Sequence, residues 1–218
     1  MHAQSWPAVG SSQAAALADD WRIFTYAALA VALLVWGLIL FAAVRFRQTR
    51  DNAEPRSQKD TNLPLEIGWT IAPLVIVIVL FVVTFHIENE VEARSPVHAA
   101  DVAVNGYRWG WTFAYRNGPT IDGTSVNPPE MVLPLGRPSS IRVTSSDVVH
   151  SFWIPDMLFK RDAVPGRVTA FDLTPTKEGT FIGRCGEFCG LNHALMTFRV
   201  RVVSDAGYRQ WLRDEAAR

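Results

Sequence analysis

The chain has 218 residues, 49% of them hydrophobic, and a formal net charge of zero. That balance leaves no basic surplus for nucleic acid to bind, and two cysteines are far too few for a disulfide scaffold. The length suits one domain of ordinary size plus an appendage.

Residues 1–22 are polar and rich in Ala and Ser, and are expected to form an external tail. Residues 23–44 and 68–85 are two nearly unbroken apolar runs without an ionisable side chain, the second extended by Leu65, Ile67 and Ile87. About 20 apolar residues in a helix cross the roughly 30 Å core of a bilayer, so both runs predict membrane spans. Pro73 is expected near the start of the second helix, where its missing N–H costs least. Two buried helices of a soluble protein are the plainer alternative, but a domain this small could not cover both all round. A signal peptide is disfavoured by the absence of a basic flank before the first run, and Arg45 and Arg47 after it read as a stop-transfer flank. Arg45, Arg47, Arg50, Arg56 and Lys59 crowd the segment 45–67, against Arg22 before the first span and Arg94 after the second. The positive-inside rule then makes 45–67 a cytoplasmic loop and places both termini outside. The expected organisation is an external tail (1–22), a transmembrane hairpin (23–94) and an external domain (95–218).

After residue 100 the texture changes to short, β-branched apolar runs at 101–105, 109–115, 131–135, 141–145, 167–173, 180–183 and 197–203. Turn sequences such as Asn117-Gly118-Pro119, Asp122-Gly123 and Pro165-Gly166 separate them. Short strands at such spacing predict an antiparallel Greek-key sandwich or barrel, closed by an amphipathic helix over 205–217.

The chemistry concentrates in residues 185–196, where Cys185, Cys189, His193 and Met196 share one loop, with His150 upstream. Thiolate and thioether are soft donors and imidazole is borderline, a set that suits copper far better than magnesium or calcium. One Cys with two His and a Met would describe a mononuclear copper site, whereas two thiolates on one loop can bridge two ions. A Cys185–Cys189 disulfide in an oxidising compartment and a structural zinc site, which needs no Met, are the competing readings.

The pattern Cys-x-Glu-x-Cys-Gly-x-x-His-x-x-Met, preceded by His150-Ser-Phe, resembles subunit II of haem–copper cytochrome c oxidases. So do Leu65-Glu-Ile-Gly-Trp-Thr70, the Trp109-x-Trp111 strand and Phe159-Lys-Arg-Asp-Ala-Val-Pro-Gly-Arg167. The resemblance implies a cupredoxin-like sandwich on a two-helix transmembrane hairpin, in the plasma or inner membrane of a prokaryote. It implies a binuclear copper (CuA) centre bridged by Cys185 and Cys189. His150 and His193 would each bind one copper, Met196 would be a weak axial ligand, and Glu187 would supply its carbonyl. The Glu187 carboxylate would face a magnesium ion shared with subunit I. Trp109 would be the point of electron entry, Trp111 would pack beneath it, and Glu66 would mark the mouth of a proton channel. Implied partners are subunit I with its haem and copper, other oxidase subunits, membrane lipid, and a c-type cytochrome that is tethered or part of a larger complex. The chain departs from the family at Tyr107-Arg108, where His-Gln is usual, and its candidate docking acids are few: Asp147, Asp156, Asp122 and Glu130. His86 and His98 fit no cluster and read as membrane-interface residues, and Met157 reads as packing. The electron-accepting subunit of a nitric oxide reductase with the same copper centre and, behind it, a membrane-anchored copper-delivery protein are the alternative functions. A quinol oxidase subunit, which lacks the copper ligands, is excluded.

Overall fold

The computed structural model describes residues 9–47, 61–98 and 100–217. Arg50, Arg56 and Lys59, which carry most of the loop charge, lie outside the described residues. Two long helices come first, α1 (Ser12–Arg45) and α2 (Leu63–Glu92). Both are long and apolar enough to cross a bilayer, and the most apolar stretch of each has no buried residue. A helix apolar all round with nothing packed on it is solvated by lipid or by other membrane helices. Within this pair, Thr84 Oγ1 donates to Asp20 Oδ1 at 3.4 Å.

Both helices extend past the apolar runs that announced them. The α1 helix starts at Ser12 because Ser11 caps it, its hydroxyl accepting from Ala14 N at 3.0 Å. Its first residues belong to the β domain: Gln13, Ala14 and Ala18 are buried, and Ser12 N donates to the Thr174 carbonyl at 3.0 Å. The described residues through Ala18 accordingly group with Glu88 onward, and Asp19–Ile87 form a second unit. The α2 helix starts at Leu63, so Pro73 falls in its interior rather than near its start and removes one backbone bond there.

The β domain has ten strands: β1 (Ala100–Tyr107), β2 (Gly110–Tyr115), β3 (Thr120–Thr124), β4 (Glu130–Pro134), β5 (Ser139–Ser145), β6 (His150–Ile154), β7 (Phe159–Ala163), β8 (Thr169–Leu173), β9 (Gly179–Cys185) and β10 (Thr197–Val203). They form two five-stranded sheets, β3-β2-β1-β5-β8 and β4-β10-β9-β6-β7. The architecture is a cupredoxin-like sandwich, but not the purely antiparallel one expected from strand spacing. The chain repeatedly crosses between sheets, so β1 runs parallel to β5 and β4 parallel to β10. The strand runs in the sequence omit β6, a 5-residue segment buried at all but one position, and two strands with less signal, β3 and β7. Of these two, β3 is short and mostly exposed, and β7 reads Phe-Lys-Arg-Asp-Ala at a sheet edge. Neither has the apolar alternation that reveals a half-buried strand.

Side chains at alternate positions fill the space between the sheets. Phe152 on β6 stacks on Phe198 on β10 with ring centroids 4.6 Å apart, and Trp111 meets both edge-on. Gly183 leaves room for this stack: a Cβ there would lie 2.0 Å from the Phe198 ring. The closing helix α3 (Asp205–Ala216) is capped by the Ser204 hydroxyl and lays Trp211 on Tyr115 at 5.0 Å. The Tyr115 hydroxyl accepts from Val132 N and donates to Val132 O, satisfying one residue of the β4 edge.

Candidate metal centre

Three consequences of strand register assemble the site. Pairing of β6 with β9 sets Phe152 opposite Cys185, which brings His150 to the end of β9. Gly186 N then donates to the Ser151 carbonyl at 2.9 Å, holding the loop after Cys185 against β6. Cys185 N donates to the Met196 carbonyl at 2.9 Å, which closes the loop 185–196 at its base.

The sulfurs of Cys185 and Cys189 lie 3.8 Å apart, and both cysteines are buried and free. That is far beyond the ~2.05 Å of a disulfide and inside twice a metal–thiolate bond of about 2.3 Å. His150 Nδ1 is 3.8 Å from Cys185 Sγ. On the other side, His193 Nδ1 is 3.7 Å and Met196 Sδ 3.8 Å from Cys189 Sγ. Each thiol therefore has its own imidazole. His150, Cys185 and Cys189 offer ligand atoms all within 4.8 Å of one another. Cys185 Sγ also lies 3.2 Å from the Glu187 carbonyl. The Glu187 carboxylate turns outward instead, with one oxygen 3.7 Å from Lys160 Nζ. Soft sulfur donors with two imidazoles fit copper.

Electrostatics prepare one thiol for a metal. Burial opposes ionisation of Cys185, but hydrogen bonds from the His150 ring and from the backbone at Ser151 and Glu187 outweigh it and lower the thiol to about 6. Burial and the neighbouring Cys185 thiolate push Cys189 up to about 12. Burial likewise lowers His150, yet its bonds to Cys185 and Asp147 prevail and raise it above its ordinary value.

Asp147 is the residue that sequence reasoning assigned to the wrong role. It is not a free docking acid. One carboxylate oxygen accepts from Val148 N at 2.6 Å and sits 2.9 Å from His150 Nε2. The other accepts from Arg108 N at 2.8 Å and Arg108 Nε at 3.2 Å. Burial resists its charge, but these bonds hold the carboxyl well below the usual range. With Nε2–H committed to Asp147, the Nδ1 of His150 is the nitrogen turned to the sulfurs. The only sequence signal was the i, i+3 spacing of the two residues. Glu130 is likewise engaged, by Arg201 at 2.8 Å and Arg199 at 3.8 Å.

The remaining predicted residues divide. Trp109 is half-buried, and its Nε1 donates to the Cys189 carbonyl at 3.2 Å. Trp111 is fully buried with its ring 6.1 Å from that of His150. Met157 is core. Glu66 stands apart at the start of α2, where Oε1 accepts from Asn62 N at 2.8 Å as part of the helix cap. His98 is not a bare interface residue: its Nε2 sits 2.8 Å from the buried Asp172 on β8, which also receives Arg94 and Ser95 N.

Fold and centre together define a membrane-anchored cupredoxin-like protein whose candidate metal ligands are two thiols, each with its own imidazole. Residues 124–203 match the family described as cytochrome c oxidase subunit II, periplasmic domain, and residues 8–87 match the transmembrane domain of the same subunit. The probable cytochrome c oxidase subunit 2 of Streptomyces avermitilis is 34% identical, aligning 96% of this chain and 78% of its own length. That of Streptomyces coelicolor is 36% identical over the same shares. The crystal structure of the periplasmic domain of subunit II of cytochrome oxidase of Bradyrhizobium japonicum superposes with a TM-score of 0.51 at 31% identity, covering 57% of this chain and 98% of that one. The chain belongs to the cytochrome c oxidase subunit II family and is a prokaryotic membrane protein with two spans.

Proposed function

We propose that this chain accepts electrons, one at a time, outside the membrane and passes them to a haem in subunit I of a proton-pumping oxidase that reduces oxygen to water. The observation that carries the reading is the pair of free thiols 3.8 Å apart, with His150 on one and His193 on the other. Two copper ions bridged by Cys185 and Cys189 would supply one-electron exchange with little change of geometry. His150, His193, Met196 and the Glu187 carbonyl complete the donor set. The buried aromatic floor of Trp111, Phe152 and Phe198 keeps water from beneath it.

Trp109, bonded to the Cys189 carbonyl, is the group through which the electron enters, and His193, half-exposed on the other thiol, is where it leaves. The outward Glu187 carboxylate would leave Lys160 for a magnesium ion shared with subunit I. Glu66, at the inner end of α2, would open the proton route into that subunit. Both termini and the β domain would then face outward, where a c-type cytochrome delivers electrons.

The test is copper counting and electron paramagnetic resonance on the purified complex. Two coppers per chain, with one unpaired electron spread over both nuclei, are expected. One copper with a localised signal, or none, overturns the assignment.

A further inference from the structure

The rim around Trp109 has an unusual charge arrangement. Gly190 packs on the indole, 3.3 Å from Trp109 Cζ2 to a Cβ built at that glycine, and the next residue, Leu191, is 90% exposed. Ser125 N donates to the Trp109 carbonyl at 2.8 Å, and the next residue, Val126, is 92% exposed. Two protruding apolar side chains thus follow directly on residues that touch Trp109, Leu191 after Gly190 and Val126 after Ser125. The residue before Trp109, Arg108, is the exposed charge. Its backbone N and Nε are both spent on Asp147, so the stem is fixed and the two terminal guanidinium nitrogens bond to no other described residue.

The carboxylates nearby offer little to a cation. Asp147 is filled by its own donors, two from Arg108 and two more from Val148 N and His150 Nε2. Asp122 bonds to the Tyr107 hydroxyl at 3.0 Å and the Thr112 hydroxyl at 2.7 Å, on the outer flank of β2 and β3, and has no ion pair among the described residues. An arginine held by Nε with its terminal nitrogens open is arranged to receive a carboxylate by two parallel bonds. Long-range steering needs a concentrated field of one sign, and this rim presents none that would draw a lysine-rich protein.

We propose that Arg108 is a specificity-determining residue that turns the Trp109 rim away from lysine-rich electron donors and towards a haem protein whose docking face is apolar and carries a carboxylate. The inference rests on the electron-entry role proposed above for Trp109. The step concerned moves one electron from a ferrous donor haem, which becomes ferric, into the metal centre.

The experiment uses the whole complex and two probes with the same haem, a soluble lysine-rich cytochrome c and the same protein with its lysines succinylated. The second-order rate of oxidation of each is measured against salt for the parent, Arg108→Gln and Arg108→Lys. The ratio of the two rates cancels any loss common to both probes, including one from a disturbed Asp147. In Arg108→Gln the ratio should swing towards the lysine-rich probe by about threefold at low salt and relax once the Debye length falls to about 3 Å near 1 M. Arg108→Lys should keep the parental ratio. A ratio in Arg108→Gln within twofold of the parent overturns the inference, as does a parental rate that already falls steeply with salt for the lysine-rich probe. If the parent holds no copper and oxidises neither probe, the proposed function fails and this inference with it.

Discussion

Replacing Asp147 by Ala tests whether this carboxylate, rather than the metal, builds the centre. The substitution strands its four strongest donors. Arg108 is half-exposed and its two donors can turn to water. His150 cannot, because its side chain is fully buried, and the bond from Val148 N is also lost. A buried donor left unmatched costs about 1–3 kcal/mol; with the part-buried Val148 N adding about 1 kcal/mol, the predicted loss is about 2–4 kcal/mol. Domains are stable by only about 5–15 kcal/mol. With a urea dependence of about 2 kcal/mol per molar, the unfolding midpoint of metal-free 95–218 should fall by about 1–2 M.

The loss should depend on pH in a specific way. His150 titrates above its ordinary value in the folded protein, so its contribution is full below about 6.5 and fades as pH rises through the raised value. The Asp147 carboxyl is held low, so its contribution is full above the ordinary carboxylate range, near 3.9, and fades as pH falls below it. Both act together only between these limits. The gap between wild type and Asp147→Ala should therefore be widest between about pH 4 and 6.5 and shrink on either side. Equal urea midpoints at pH 5.5 would refute the reasoning.

Three other outcomes follow from the same structure. Tyr115→Phe strands both the N–H and C=O of Val132 in a buried position. It should lower the unfolding free energy by about 2–6 kcal/mol, read in the same urea titration. Gly183→Ala drives a methyl group to 2.0 Å from the Phe198 ring, which must leave its stack on Phe152. Overpacking of this kind costs about 1–3 kcal/mol, and the near-ultraviolet circular dichroism of the aromatic core should change with it. In the reduced metal-free domain, ultraviolet thiolate absorbance should rise in two steps, the first near pH 6 from Cys185 and the second near 12 from Cys189. A single step near the ordinary thiol value would show that the His150 bond is absent in solution.

What could be read from the sequence depends on how local each feature is. The ligand loop was legible because Cys185, Cys189, His193 and Met196 fall within twelve residues, and metal chemistry restricts which ion such a set suits. The spans were legible because lipid demands an unbroken apolar run. Their true ends were not. Ser11 and Asn62 extend the helices by capping, and Gln13 and Ala14 are buried on a domain that begins far along the chain. The edge strand β7 escaped because Lys160 and Asp162 face outward and only Phe159 and Ala163 turn inward. The parallel pairings escaped because they follow from how the chain crosses between sheets, which no window of residues records.

The same distinction explains why Asp147 was misread as a docking acid. A carboxylate three residues before a histidine looks exposed and available in a sequence, since most aspartates are. Its role depends on Arg108, which reaches it only because β1 lies beside β5 and sets Gly106 opposite Ser145 at the ends of both strands. That pairing gives Asp147 a cation on one side and the buried His150 imidazole on the other. One parallel ladder therefore couples the charge of the surface beside Trp109 to the orientation of the His150 ring. Substitutions at Arg108 should consequently register in two places at once, the choice of donor and the titration of His150. A change confined to the donor choice would mean that Asp147 holds the imidazole without help from the arginine.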